Sequence, residues 1–159
     1  MPRIRSKQSR GQALIEASLL VPMIFFLFLA MTNFGFFIYA FITTGNAARA
    51  AAQYTANPSF VGQQPIACRV VLREMATLEN VFSLGSGQVS TGLWTSSNTC
   101  SAAPLTVTVA PPTYTEPTSG TPASRVTVTY NTIRLFLLPF MSGQMTISRT
   151  ATMRLMPAS

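Results

Sequence analysis

Hydrophobic positions in this chain follow two regimes. From Ala17 to Ala48 no charged residue occurs, and the densest part, Leu19 to Ile42, holds five Leu or Val and seven Phe. About 20 apolar residues let a helix cross a bilayer core, so this stretch predicts a membrane-spanning helix. A removable export signal has a shorter apolar region of about 7–15 residues. The excess length argues for an anchor, although Ala48-Arg49-Ala50 has the small-x-small form of a signal peptidase site. The Ala-rich run Arg49 to Tyr54 extends the helix outward, because Ala is the best helix former. Asn57-Pro58 ends it. Pro22 lies inside the span, where a proline is expected to kink or loosen a helix. Asn33, Gly35, Thr43, Thr44, Gly45 and Asn46 in the outer half suit either a helix-packing face or drift toward the interface.

Beyond Pro58 the periods shorten. Ile66 to Phe82 predicts an amphipathic helix, with Ile66, Val70, Met75, Leu78 and Phe82 at near-helical spacing; Arg69, Arg73, Glu74 and Glu79 read as its solvated side. Leu84 to Thr99, rich in Gly, Ser and Thr, predicts loop, and Trp94 within it is either a packing plug or a contact residue. Leu105–Val109 and Val126–Tyr130 alternate with Thr. Met145 to Leu155 alternates too, with Met145, Ile147, Ala151, Met153 and Leu155 on one face. Arg149 interrupts that face, which suits a snorkelling or edge position. Alternation of this kind predicts an antiparallel sheet with one wet face, covered on the other by the helix at 66–82. Pro111 to Pro122, with Gly120, is a loop between strands. Leu135 to Met141 is apolar but too short to span, and is either a core-filling turn or an exposed patch. The predicted fold class is α+β: a long N-terminal transmembrane helix, then a small exported domain with one helix packed on an antiparallel sheet.

Composition narrows function. Only 9% of the 159 residues are charged, against about 25% in a soluble domain. The net charge of +7 is concentrated at the start, where Arg3, Arg5, Lys7 and Arg10 precede the span. The remaining arginines are scattered, so nucleic-acid binding has no footprint. A basic head before a span places the N-terminus in the cytoplasm and the rest outside. The chain has no His, no Asp and four Glu. That inventory excludes a Ser-His-Asp triad and a His-bearing zinc site. Two cysteines cannot complete a metal site alone. Gly85-Ser86-Gly87 with Gly92 lacks the Lys-Ser/Thr ending of a phosphate loop. No catalytic, cofactor or metal site is expected, and no small-molecule substrate. Cys68 and Cys100 would lie in an oxidising compartment, where a disulfide between them is expected, two free thiols being the alternative.

Glu16, a lone carboxylate at the threshold of the span, is either an inert headgroup-level charge or a functional group with a partner. The string Arg10-Gly11-Gln12-Ala13-Leu14-Ile15-Glu16 follows the basic leader and precedes the apolar helix. It resembles the processing signal of type IV pilin-like proteins. With Pro22, Asn33-Phe34-Gly35, Gly45 to Ala52 and Thr150 to Arg154 it resembles the TadE-like family of the tight-adherence (Tad/Flp) pilus machinery, whose members are minor pilin-like proteins or pseudopilins. Ala17 departs from the aromatic that often follows the Glu in pilins of this branch.

The resemblance implies cleavage by a prepilin peptidase after Gly11, which would free the amine of Gln12. Residues 1–11 would be a leader, 12–56 the transmembrane and extended helix, and 57–159 the exported domain. Glu16 would serve peptidase recognition or assembly by pairing with the amine of a neighbouring subunit, unless Gln12 cyclises. Implied partners are the membrane, the peptidase, other pseudopilins, the major pilin and the inner-membrane Tad platform. The implied location is the bacterial inner membrane, single-pass, with the C-terminal domain periplasmic or carried into a pilus. A permanently anchored domain that binds a ligand or surface through Trp94 and the Pro/Thr loop is the alternative function.

Overall fold

The computed structural model describes residues 8–78, 80–81, 94–96, 99–133 and 145–157. Helix α1 spans Gln8–Thr55 and continues through Pro22. A 3-10 turn at Pro58–Phe60 and helix α2, Gln64–Glu74, follow. Five strands complete the chain: β1 (Trp94–Ser96), β2 (Thr99–Ala102), β3 (Leu105–Val109), β4 (Ala123–Asn131) and β5 (Thr146–Arg154). They form one antiparallel sheet in the order β1-β2-β3-β4-β5. The α+β class and the antiparallel sheet are as the patterns predict. The apolar run Leu135 to Met141 and the Gly85–Gly92 stretch lie outside the described residues.

Alternation decides the faces of the sheet. Val107 and Val109 on β3, with Val126, Val128 and Tyr130 on β4, are buried on one side. The opposite side is a hydroxyl surface, where Thr127 meets Thr150 at 2.9 Å and Thr129 meets Ser148 at 3.2 Å. Such cross-strand Thr/Ser pairs contribute about 0.2–1 kcal/mol each.

Two helices, not one, cover the apolar face. Helix α2 packs on β2 and β3, while the C-terminal half of α1 packs on β4, β5 and α2. The buried positions of α1 are Ala40, Thr44, Ala47, Ala48, Ala51, Ala52 and Thr55, which recur at three- and four-residue steps along one side. All are small, so the helix backbone can approach the sheet closely. The helical extension predicted beyond the span is therefore also a core element: Ala40, Ala47, Ala48, Ala51 and Ala52 belong to the same hydrophobic cluster as Val71, Val107 and Val128.

Three elements differ from their predicted form. Helix α2 stops at Glu74 rather than Phe82. Past it the backbone makes three-residue closures, Leu78 N–H to Met75 at 3.0 Å and Val81 N–H to Leu78 at 2.9 Å. Met75, Leu78 and Val81 stay buried, because a spacing of three keeps side chains on one side of such turns as well as of an α-helix. Within α2 the buried residues are Gln64, Ala67, Cys68, Val71 and Leu72, with Ile66 and Val70 only half-buried. Residues 94–96 form a strand where their composition predicts loop: Trp94 and Ser96 pair with Cys100 and Thr99, a tertiary pairing that local Ser/Thr/Gly content does not encode. Met145, just before β5, and Met153 on it are exposed, while Ile147 is buried.

The turn into α2 is fixed by Gly62. Its φ of +68° lies in the left-handed region, and a Cβ there would stand 2.9 Å from Pro112 Cδ. At the far end, Met156 N–H donates to the Ala56 carbonyl at 3.0 Å, which ties the end of β5 to the end of α1.

Candidate processing and assembly segment

The N-terminal half of α1 is apolar and exposed. Leu14, Leu19, Val21, Met23, Phe25 and Phe28 are all more than half exposed, and the most apolar 18-residue window of the helix has no buried residue. Packing against the domain begins at Phe36 and Phe37. Gly11 to Gly35 is thus exposed, apart from the half-buried Leu29 and Asn33. At 1.5 Å per residue it is about 37 Å long, enough for the ~30 Å hydrocarbon core. The helix is long and apolar enough to cross a membrane.

Gly11, Gln12 and Glu16 lie on the exposed start of α1. The Gln12 side-chain amide donates to Glu16 Oε1 at 3.1 Å, the four-residue step that places two side chains on one face. A Cβ at Gly11 would meet nothing within 4 Å, so its glycine is not a packing requirement. The disulfide joins Cys68 on α2 to Cys100 on β2, far along the chain from Glu16. These residues therefore form two separate features, a membrane-entry segment and a staple inside the domain.

At the other end of the span, the Tyr39 hydroxyl donates to Thr77 Oγ1 at 2.7 Å, and the Arg149 guanidinium lies over the Phe41 ring, 3.6 Å from its centroid. Arg149 is on the covered face, opposite Val128, so it neither leaves the helix-covered side nor breaks the strand. Inside the domain, Tyr130 donates its hydroxyl to Asn80 Oδ1 at 2.6 Å, and burial raises its pKa above the ordinary value of 10.0, with the Asn80 hydrogen bond opposing. Of these contacts only the interruption at Arg149 leaves a sequence signal. The Tyr39 and Tyr130 partners are 38 and 50 residues away.

The order of features along α1, a basic-flanked glycine, a carboxylate five residues on, an apolar span and a small-residue stripe, decides the family comparison. Residues 11–53 match the family model described as TadE-like protein. The likeness to the TadE-like family is thus confined to this segment. The match covers α1 from Gly11 almost to its end, including both the exposed span and the stripe that docks on the sheet. No curated protein and no solved structure matches the chain. The helix therefore carries the comparison, and the domain beyond it stands on its own geometry.

Proposed function

We propose that the chain is a minor pilin-like structural protein, a pseudopilin, required for assembly of a Tad/Flp-type pilus and hence for adherence. One observation carries this reading: the TadE-like match falls on a helix whose first half is bare and apolar and whose second half is locked into a small domain. A helix of this kind presents its free half to other helices in the membrane while its domain stays outside. The role is structural rather than enzymatic. Its partners are a prepilin peptidase, a second pseudopilin, the major pilin and the inner-membrane Tad platform, with the N-terminus cytoplasmic and the domain periplasmic.

Processing falls between Gly11 and Gln12. That bond lies in the opening turns of α1, so a peptidase must unwind them to reach it. Glycine lowers the cost, being about 1 kcal/mol poorer than Ala in a helix. Cleavage leaves a new amine one turn from Glu16. Inside lipid an unpaired carboxylate is costly, and pairing with the amine of an adjacent subunit sets the axial register of the incoming helix.

Mass spectrometry of the N-terminus of protein from native membranes tests the proposal. The expected chain starts at Gln12, with loss of ammonia where it has cyclised. A chain that keeps the leader residues overturns pilin-like processing.

A further inference from the structure

The exposed line Phe34, Ile38, Ile42, Asn46, Arg49 on α1 turns from apolar to polar within about 22 Å. Ile38 and Ile42 are 41% and 54% exposed. At the changeover an open groove of about 290 Å³ separates α1 from β5, lined by Phe41, Ile42, Asn46, Arg49, Arg149 and neighbouring small residues. Among the described residues, two guanidinium groups border it and no carboxylate does. Gly45 lies in its wall, and a Cβ there would meet nothing within 4 Å.

The level of this groove follows from the length of the span. About 20 residues cross the hydrocarbon core. Counted from Ala17, just beyond Glu16, they end near Phe36, where domain packing begins. Phe41 lies five residues further, about 7 Å, within the headgroup layer. Arg149 is held there with its flat face on the Phe41 ring, which leaves the N–H groups at the rim of the guanidinium free to bind a planar or tetrahedral oxyanion. Arg49 approaches the same space from the helix. Phe41 and Ile42 form the apolar floor.

We infer that this groove seats the phosphate of an anionic lipid, its oxygens held by Arg49 and Arg149 and its upper acyl chain lying along Ile42, Ile38 and Phe34. The inference rests on the reading of α1 as a membrane span, and not on pilus assembly. Charge complementarity favours a phosphate over a cationic or neutral ligand, and the apolar floor continuous with the span favours a lipid over a free phosphate. Lipid bound here fixes the height and tilt of the domain on the membrane.

Native mass spectrometry of the full chain released from detergent, titrated with phosphatidylglycerol or phosphatidylcholine, tests it. Wild-type protein is expected to retain phosphatidylglycerol in preference. R49Q/R149Q is expected to lose that adduct by about tenfold, as for loss of charge-assisted hydrogen bonds. R49Q alone, at an exposed site outside the core, is expected to lose an intermediate share. Equal retention of the two lipids by wild type, or unchanged retention in both variants, overturns the inference. Competition by glycerol phosphate as effective as the lipid itself also overturns it, because the site would then take the free anion. Variants that keep their lipid but lose a co-purifying pilin-like protein overturn it in favour of a protein interface. Alkaline carbonate extraction of native membranes separates the underlying reading: release of the chain refutes the span, whereas a retained chain without lipid preference refutes the groove alone.

Discussion

Thr55, at the last turn of α1, and Ser124, near the start of β4, share a buried hydrogen bond of 2.6 Å. Thr55 also reaches back to the Ala51 carbonyl at 2.8 Å, so the two hydroxyls close a chain that ends the helix on the sheet. Ser124→Ala removes one link but leaves Thr55 bonded to its own helix. A loss of about 1 kcal/mol is expected, read as a lower unfolding midpoint of the full chain in non-ionic detergent. An unchanged midpoint would mean that this contact does not hold the helix to the sheet.

The disulfide between Cys68 and Cys100 spans 32 residues and ties α2 to β2. Closing a loop of this length stabilises by roughly 3–4 kcal/mol in the chain-entropy model. C68S/C100S should unfold on the order of 15 °C or more below wild type, at about 4–8 °C per kcal/mol for a domain of this size. A shift of only a few degrees would refute a staple of that strength.

The small-residue stripe gives a sharper test of how α1 is shared between membrane and domain. Ala51 is fully buried in the core cluster. Ala51→Leu forces extra methylenes into a close helix–sheet contact, at an expected cost of about 1–3 kcal/mol. Ala50→Leu, a half-exposed neighbour on the same turn, should cost much less. Comparable losses for the two, in the same detergent unfolding assay, would contradict the packing of this face.

Much of this was legible in residue order. The span, the end of α1 at Asn57-Pro58, the alternation of β3, β4 and β5 and the loop at 111–122 all follow from local patterns, because each segment's period matches the element it forms. What escaped is what depends on distant partners. The strand at Trp94 exists only by pairing with β2, and the early end of α2 leaves a buried spacing that a continued helix would share. Arg149 was visible as a break in an apolar face, but its perch on Phe41 requires knowing that α1 covers β5. The residues Gly11 and Glu16 are distinctive in sequence, yet their geometry here is only that of one exposed helix face, and the roles proposed for them need partners outside the chain.

Glu16 distinguishes assembly from mere anchoring. Among the described residues its carboxylate accepts a hydrogen bond from the Gln12 amide, a neutral partner that does not neutralise its charge. Glu16→Ala should leave membrane insertion intact, because it makes the helix more apolar, and should abolish or strongly reduce surface pili in sheared-fibre preparations. Normal piliation with E16A would remove the carboxylate from the assembly step, whatever the state of Gly11.

Tyr130 supplies a test by pH. Its side chain is fully buried at the centre of the core, and its pKa is raised, chiefly by burial, with the Asn80 hydrogen bond acting in the opposite direction. The unfolded phenol titrates near 10. Below that pH both states keep the proton and stability is unaffected. Above it the unfolded chain loses the proton first, so the unfolded state is favoured and stability falls until the raised folded value is passed. Tyr130→Phe lacks this titration and sacrifices the hydrogen bond to Asn80, at about 1 kcal/mol. The stability gap between wild type and Y130F should therefore be constant up to about pH 9 and narrow above about pH 10, measured by urea unfolding of the full chain in non-ionic detergent. A gap that stays constant through pH 11 would mean that the phenol ionises as readily in the folded protein as in the unfolded chain, and that burial does not hold its proton.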